Sequence, residues 1–338
     1  MSRPKLEATE ITESSEFGLI ARHFAPLVVA IPGAMGLTDD AALIDVPVGQ
    51  QLVVTMDGMV SGVHFLADDP PDLVARKLLR VNLSDLAAMG ATPLAYTLCA
   101  AFCREVTDSW IAAFASGLAT DQAAFGISLI GGDTVSTPGP GMFTLTAMGT
   151  LATGKALCRN GAQEGDDIYA SGTIGDGAVG LLVLKEGDEL IALSPEDRRF
   201  LAGRYRLPKP RLALGKALVG VASAALDVSD GLAADLGHLC NMSALGARIE
   251  IEKVPVSAAC RHAIALSQLA ASSVLGGGDD YELLFTAPPE RAAEVLERAK
   301  GVGTPVAVIG KMVAGRGVII VDASGSAVPI ESTGYQHF

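Results

Sequence analysis

Short apolar runs of strand length alternate with longer helix-like patterns along the chain, and this order restricts the fold more than any other feature. Strands are predicted at 52–56, 94–102, 128–130, 142–151, 167–171, 225–228, 248–252, 283–286, 306–309 and 318–321. Helices are predicted at 16–29, 71–89, 109–125, 177–185, 210–222, 257–270 and 289–300, with another after Gly231. Because the two patterns interleave in both halves, we predict the α/β (α+β) class, with helices layered on sheets.

The length of 338 residues favours two domains, because a single hydrophobic core stops growing at roughly 250–300 residues. The stretch RNGAQEGD at 159–166 is polar, contains glycine and has no periodicity, so it is the best candidate boundary. We therefore predict a flexible N-terminal arm at 1–15, an N-terminal domain at 16–160 and a C-terminal α/β sandwich at 161–338.

The formal net charge of −13 argues against two classes of partner. An acidic surface repels the phosphates of nucleic acids and the headgroups of anionic membranes, so we expect neither partner. The polar N-terminus predicts no secretory signal, and no apolar run is long enough for a membrane span. Five cysteines, an odd number and mostly far apart, are predicted to be buried thiols of a cytoplasmic protein.

Two glycine motifs suggest nucleotide-binding folds that the neighbouring sequence disfavours. Residues 149–155 fit GxxxxGK, but Ala156 replaces the hydroxyl residue that a P-loop needs for magnesium, and no amphipathic helix follows. Gly175, Gly177 and Gly180 fit GxGxxG between a strand and a helix, as in dinucleotide-binding folds. The second strand with its acidic end is missing, so we interpret this motif as a glycine turn that packs close to a neighbouring strand.

Aspartates that are predicted to lie where strands end, beside glycine, hydroxyl residues or apolar strands, form the stronger pattern. They occur in TDDAA, TMDG, NLSDLAAMGA, IGGDT, DVSDG and GGGDDYE. Any one of them alone would be interpreted as a turn residue or a helix cap. If several converge, each close pair repels by about 1 kcal/mol in water at 4 Å and about 4 kcal/mol at an effective dielectric constant near 20, so cations are expected between them.

The composition of this acidic set indicates which metal it would bind. Oxygen ligands without histidine or cysteine suit Mg²⁺, which binds through carboxylates and substrate phosphates. No run matches the calcium loop of EF-hand proteins, so a calcium-binding module is disfavoured. Phosphoryl chemistry, in which metals bridge nucleotide oxygens, is the function that this pattern favours.

Several motifs in the same order resemble the thiamine-monophosphate kinase family, which belongs to the superfamily of aminoimidazole ribotide synthetase. The resemblance runs from EFGLIARHF at 16–24 to GYQHF at 334–338, through GVHF (62–65), VNLSDLAAMGA (81–91), IGGDT (130–134), SGTIGD (171–176), DVSDGL (227–232) and DDYELLF (279–285). It implies a two-domain PurM-like fold, in which the N-terminal α/β domain binds ATP and metal and pairs with a second subunit to form a homodimer.

The resemblance implies an enzyme that phosphorylates thiamine monophosphate with ATP and several Mg²⁺ ions, yielding thiamine diphosphate. The metal ligands it implies are Asp40, Thr55, Met56, Asp57, Asp85, Asp133, Asp227 and Asp230. Contacts to ATP are implied for Gly132, Asp133, Arg159 and Ser229, and contacts to the substrate for His64, Asp279 and Tyr335. The attacking phosphate is already ionised, so no catalytic base is required, and we predict direct in-line transfer without a phosphoenzyme.

Three positions depart from the family pattern. The usual G-[IL]-G-D-D turn is Gly36-Leu37-Thr38-Asp39-Asp40 here, which makes it less flexible. Met56 replaces a frequent hydroxyl residue and can reach Mg²⁺ only through its backbone carbonyl. Asp279 stands where the family usually has glutamate, so its side chain is one methylene shorter.

Other functions within this superfamily have features that the chain lacks. Selenophosphate synthetase needs a reactive cysteine or selenocysteine near the N-terminus, whereas the first cysteine here is Cys99. The hydrogenase maturation protein ends in a functional cysteine, and this chain ends in His337-Phe338. Aminoimidazole ribotide synthetase, with a DGVGTK-like segment in place of DGMVSGVHF, is the alternative enzyme. A nucleotide-binding protein without turnover is the alternative from another class.

Overall fold

The computed structural model describes residues 16–29, 31–185, 192–267, 275–329 and 334, so Tyr335 and the predicted arm at 1–15 lie outside the described residues. The chain divides into two compact units, each assembled from separated stretches. The first unit contains Met1–Asp45, Gly58–Arg76 and Ala95–Thr146, and the second contains Val46–Asp57, Lys77–Leu94 and Ala147–Phe338. The predicted limits of the two domains, at 16–160 and 161–338, stay a prediction.

The described helices and strands interleave as predicted, which confirms the α/β class. The helices are α1 (Glu16–Leu19), α2 (Pro71–Ala88), α3 (Asp108–Phe125), α4 (Asp176–Leu184), α5 (Pro195–Arg206), α6 (Leu212–Leu218), α7 (Leu232–Ser243), α8 (Ala258–Ser267) and α9 (Ala292–Gly301). The strands are β1 (Gln50–Val60), β2 (Thr92–Cys103), β3 (Ser128–Thr137), β4 (Met142–Ala152), β5 (Asp167–Ser171), β6 (Ala224–Asp227), β7 (Gly246–Glu250), β8 (Leu283–Ala287), β9 (Val306–Val313) and β10 (Gly317–Val321).

The first sheet has four strands in the order β1-β4-β2-β3. The chain passes from β2 through α3 to β3, and these two strands are parallel, from Ala95 opposite Ser128 to Cys103 opposite Thr137. Their register shifts between Tyr96 and Thr97. In the first unit, the rings of Phe102, Trp110, Phe114 and Phe143 pack together, with the last two centroids 4.8 Å apart.

The second sheet has six strands in the order β10-β7-β9-β5-β8-β6 and lies in the second unit. Because successive side chains of a strand point to opposite faces, each face supports its own core. Ile168 and Ala170 of β5 belong to a core that includes α7. Tyr169 between them belongs to another core that includes α6 and α9. Helix α4 packs with α5 and α8 in a third cluster.

The N-terminal segment departs from the single helix predicted at 16–29. Helix α1 ends at Leu19. The chain then forms a π-helical turn at Ile20–Phe24 and a 3₁₀ turn at Ala25–Leu27. Pro26 lacks the N–H that an α-helix would need here, which breaks the helical pattern. As a result, the predicted apolar stripe is not one buried face: Phe24 is buried, whereas Phe17 is 68% exposed.

Three other predictions need correction. The helix Pro195–Arg206 was not predicted, although Ser194 caps it by accepting the N–H of Asp197. Strand β1 does not end at Met56 but continues to Val60, and β3 extends beyond Ile130 to Thr137. Asp57 and Asp133 therefore lie within strands rather than at strand ends.

All five cysteines are free thiols, but only some are buried. Cys240 and Cys260 are buried, and Cys103 is half-buried. Cys99 and Cys158 are exposed, so the prediction of buried thiols is wrong for these two. Among the described residues, no helix is both long and apolar enough to cross a membrane.

Candidate active site

Strand β1 separates polar from apolar side chains by its alternation. Thr55 and Asp57 are half-buried, whereas Leu52, Val54 and Met56 are 40%, 56% and 64% exposed. Successive side chains of a strand point to opposite faces, so the Met56 thioether points away from the face that carries Thr55 and Asp57. The interpretation that Met56 could bind a metal only through its carbonyl oxygen is compatible with this orientation.

The NLSDL segment of α2 meets β1 and β6 through its polar side chains. The Asp57 N–H donates to Asn82 Oδ1 at 3.0 Å, and the Thr55 hydroxyl donates to Asp85 Oδ2 at 2.5 Å. The Ser84 hydroxyl donates to Asp227 Oδ2 at 2.6 Å. These bonds fix the carboxylate of Asp85 on α2 and that of Asp227 on β6. Each carboxylate is held by a hydroxyl group from another part of the second unit.

Burial and mutual repulsion act together on these carboxyl groups. Burial, followed by the charges of Asp85 and Asp230, raises the pKa of Asp57 to about 6. Burial, followed by the charge of Asp85, raises the pKa of Asp227 well above its usual value. The pKa of Asp85 is raised by burial, against the opposing effects of the Thr55 hydrogen bond and the Arg159 charge. Asp57, Asp85, Asp227 and Asp230 are therefore electrostatically coupled, whereas the metal-binding role expected for them stays a prediction.

The donor set fits Mg²⁺. All four carboxylates offer hard oxygen ligands, and bound cations would offset the repulsion among them. A cavity of about 290 Å³ in the second unit adjoins this set. Its polar lining residues are Thr55, Asp85, Arg159 and Asp227, and the rest of its wall is largely apolar. The exposed guanidinium of Arg159 is the cation of this lining.

Asp235 shapes the loop that carries Ser229 and Asp230, and the sequence analysis missed it. Its Oδ2 accepts the backbone N–H groups of Ser229, Asp230 and Gly231 at 3.0, 3.0 and 3.1 Å. Burial, followed by the charge of Asp230, raises the pKa of Asp235 to about 7, although these three bonds oppose the rise. The sequence feature that could have revealed Asp235 is its place in the first turn of α7, the helix that directly follows DVSDG.

Asp230, Asp235 and His238 also place potential ligand atoms within 4.8 Å of one another. One oxygen of Asp235 already accepts three backbone N–H groups, and imidazole is not a ligand that Mg²⁺ prefers. We therefore assign Asp235 to shaping the loop rather than to the metal ligand set.

The loop 276–282 interlocks with the DVSDG loop. The N–H of Asp279 donates to the Ser229 carbonyl at 2.9 Å, and the N–H of Tyr281 donates to the Val228 carbonyl at 2.8 Å. Both donors have positive φ angles, 68° for Asp279 and 51° for Tyr281. Such values are uncommon outside glycine, so tertiary contacts impose this conformation.

Asp280 occupies the helix N-terminus that the GxGxxG motif had offered to a ligand. Its fully buried carboxyl group accepts the N–H groups of Gly175 and Gly177 at 2.7 and 3.1 Å, directly at the start of α4. A Cβ atom at Gly177 would lie 2.3 Å from the Asp279 carbonyl oxygen. The predicted close packing is correct, but the partner of this glycine is a loop rather than a strand.

A buried ionic network lies beneath the same loop. Glu282 accepts hydrogen bonds from Ser171 and from Arg211, whose guanidinium makes two bonds of 2.6 and 2.5 Å. Arg204 donates to Glu282 at 3.0 Å and to the Asp280 carbonyl at 3.1 Å. No role was predicted for Arg204, Arg211 or Glu282, because a lone charged residue carries no pattern along the sequence.

The first unit has its own cavity, of about 250 Å³. Asp39, Asp40, Gly131, Gly132, Asp133 and Thr134 line one part, and Phe17, Ile20, Phe24 and Leu37 belong to its apolar lining. This cavity brings together the predicted residues Asp40, Gly132 and Asp133. At Gly132 a Cβ atom would lie 2.0 Å from the Leu98 carbonyl oxygen, which explains the glycine.

The remaining predicted contacts have varied surroundings. His64 lies in a tight turn after β1, where its Nδ1 accepts the Val60 N–H at 3.1 Å, so the neutral ring carries its proton on Nε2. Asp279 is half-buried and Arg159 is exposed. The part of the chain that the structure describes does not include Tyr335.

Comparison with known proteins assigns both halves of the chain. The family models for the N-terminal and C-terminal domains of AIR synthase related proteins match residues 38–151 and 163–323. Thiamine-monophosphate kinase from Salmonella typhimurium is 43% identical over 326 residues, which cover 96% of this chain and 98% of the relative.

Solved structures give the same assignment. A thiamine-monophosphate kinase from Stenotrophomonas maltophilia is 40% identical with a TM-score of 0.77, covering 86% of this chain and 91% of that chain. AaThiL complexed with AMPPCP and TMP is 29% identical with a TM-score of 0.75, covering 98% and 99%. On this identity and coverage, the chain belongs to the thiamine-monophosphate kinase family.

Proposed function

We propose that this protein catalyses the ATP-dependent phosphorylation of thiamine monophosphate to thiamine diphosphate, with Mg²⁺ as its metal. The relatives at 40–43% identity carry the name of this activity, and the AaThiL complex holds AMPPCP and TMP together. The observation in this chain that carries the proposal is the coupled set of Asp57, Asp85, Asp227 and Asp230. Burial and mutual repulsion of these carboxylates are unfavourable, and bound cations would offset both. Enzymes that bind a metal–nucleotide complex place cations in such a site.

The proposed reaction needs no base from the protein. An oxygen of the substrate phosphate attacks the γ-phosphorus of ATP, the bond from this phosphorus to the β–γ bridging oxygen breaks, and ADP leaves with that electron pair. The attacking oxygen is already anionic, so proton removal is not required. We infer an in-line transfer without a phosphoenzyme, and isolation of a phosphorylated protein during turnover would contradict it.

The residues would act by positioning and by charge. Asp40, Asp57, Asp85, Asp133, Asp227 and Asp230, with Thr55 and the Met56 carbonyl, are the proposed metal ligands. Mg²⁺ held there supplies neutralisation of the nucleotide phosphates. Arg159 adds positive charge for ATP, with Gly132, Asp133 and Ser229 as further contacts, whereas His64, Asp279 and Tyr335 would bind the substrate.

The activity is tested by incubating the protein with ATP, Mg²⁺ and thiamine monophosphate and measuring thiamine diphosphate by chromatography. We expect product from the monophosphate but none from free thiamine, and loss of product in Asp230→Asn. Asp45→Asn, at an exposed aspartate outside the site, is the matched control and should retain activity. Magnesium-dependent ATP binding without product would support a nucleotide-binding protein, and ribotide cyclisation would support the alternative enzyme.

We also propose a homodimer that pairs through the exposed face of β1. Leu52, Val54 and Met56 form an apolar stripe on an edge strand of the first sheet. Exposed apolar stripes on edge strands favour association with another chain. Light scattering should give twice the chain mass, and Val54→Lys should yield monomers. A monomeric parent protein at micromolar concentration would refute this interface.

A cytoplasmic location stays a prediction.

A further inference from the structure

Lys77 is a buried cation held between an acid and an aromatic ring. It lies on α2 with 3% of its side chain exposed, and its Nζ is 3.1 Å from Asp279 Oδ1. The same Nζ lies 3.6 Å from the centroid of the Tyr205 ring. All three residues belong to the second unit.

Burying a lysine ammonium group lowers the stability of the folded protein unless its partners are well placed. Removing an ammonium from water is unfavourable, and a buried ion pair is often no more stabilising than an apolar pair of similar volume. Cation–π contact recovers part of this cost. Stability alone therefore gives little reason for a lysine at this position, and the geometry of its anionic partner gives a better one.

Asp279 is the more accessible member of the pair, with 28% of its side chain exposed. Its backbone is held in the left-handed region by the bond from its N–H to Ser229. Burial, followed by the charges of Asp279, Asp57 and Asp227, raises the pKa of the Tyr281 hydroxyl well above its usual value, so all three carboxylates act on the same ring. The carboxylate of Asp279 is thus held at the border of the acidic cluster.

We propose that Lys77 is a positioning residue that acts through Asp279, fixing its carboxylate in the orientation that contacts the phosphorylated substrate. The inference rests on the proposed function, because it takes Asp279 as a substrate contact. Lys77 itself need not touch the substrate. Its ammonium would select one rotamer of Asp279 through the 3.1 Å contact with Oδ1.

The test is a double-mutant cycle with Lys77→Met, Asp279→Asn and the double variant, each measured for kcat and for both KM values. Loss of one charge-assisted bond should raise the KM for thiamine monophosphate roughly 10- to 100-fold in Lys77→Met. The KM for ATP should change less than about twofold, since Asp279 is not a proposed ATP contact. In the Asp279→Asn background, Lys77→Met should add almost nothing.

Matched variants separate positioning from folding. Lys311→Met removes an exposed lysine that pairs with Asp167, and it should leave both KM values unchanged. Lys77→Arg keeps the charge and should recover part of the substrate affinity. If Lys77→Met fails to fold, Tyr205→Leu removes the ring contact without changing either charge and should raise the same KM, whereas Tyr205→Phe should not.

Each contrary result has its own meaning. Multiplicative effects of the two substitutions, or an unchanged substrate KM in Lys77→Met, would overturn the inference while the kinase activity stands. An unchanged KM in Asp279→Asn would overturn both the substrate contact and the role of Lys77. Absence of thiamine diphosphate with the unaltered protein would instead overturn the proposed function.

Discussion

The acidic residues of the two units are supported in different ways. In the second unit, Asp85 and Asp227 accept hydroxyl hydrogen bonds from residues 30 and 143 positions away along the chain. In the first unit, Asp133 accepts the N–H of its neighbour Thr134, and Asp39 accepts that of Asp40. The carboxylates of the second unit are therefore oriented by tertiary structure, whereas those of the first unit are exposed and bonded to their neighbours in the sequence.

This difference separates two kinds of ligand. Carboxylates fixed by distant partners are preorganised, and the folded protein bears the cost of their repulsion before any cation binds. Exposed carboxylates carry little such cost, but they must be ordered when the ligand arrives. We expect substitutions in the two units to differ in their effects on stability as well as on activity.

The largest expected effect comes from Asp227→Asn. It should lower kcat roughly 10³-fold, as loss of a preorganised electrostatic contact does, and it should raise the melting temperature of the metal-free protein because it removes a buried, repelled charge. Asp133→Asn should also lower activity but leave the metal-free melting temperature unchanged. Steady-state assays measure the activity of both variants, and thermal unfolding measures their stability. Equal shifts in melting temperature would contradict the difference between the two units.

The buried network under loop 276–282 is expected to dominate stability. Glu282→Gln leaves the Arg204 and Arg211 guanidinium groups without their buried carboxylate, which should lower the free energy of unfolding by about 3–5 kcal/mol. Asp108→Asn, in an exposed pair with Arg22 in the first unit, should have no measurable effect. Urea denaturation followed by circular dichroism compares the two; a stable Glu282→Gln protein would contradict the argument.

Shaping of the DVSDG loop can be tested apart from catalysis. Asp235→Asn replaces the anion that accepts three backbone N–H groups with a weaker neutral acceptor. We expect Mg²⁺ affinity, measured by calorimetry, to fall roughly 10- to 100-fold. Asp322→Asn alters a similar turn, where an exposed aspartate accepts the N–H groups of Ser324 and Ser326, and should leave the affinity unchanged. Equal losses would show that loop shape is not the cause.

The last prediction concerns pH. Burial raises the pKa of Asp280 to about 8, above its value in the unfolded chain. Between about pH 4 and 8 the folded protein therefore holds a proton that the unfolded chain has lost, and stability falls as pH rises, by up to about 1.4 kcal/mol per pH unit for this group. Asp280→Asn should flatten this slope in metal-free urea titrations, whereas Asp322→Asn should preserve it; an unchanged slope in Asp280→Asn would refute the assignment.

Much of the fold was predictable because it follows from local periodicity. The α/β class and most helices and strands were predicted correctly. Helix α5 was missed although Ser194 and Pro195 form a recognisable start, and the segment 16–29 was predicted as one helix in spite of Pro26. Strand β3 was predicted too short, since pairing with β2 overrides the weak strand propensity of Gly131 and Gly132.

The sequence by itself determined the family of this protein and its main acidic motifs, because these features are linear: residue types in a set order. It was enough to place Asp57, Asp85, Asp227 and Asp230 in one larger acidic set. Only the tertiary structure decided the roles of Asp235, Asp280 and Glu282 and the contacts that carry the proposal for Lys77, as well as the outward orientation of Met56. Those roles depend on burial and on contacts with residues far along the chain, and the pKa of a buried acid depends on neighbours that the sequence does not place beside it.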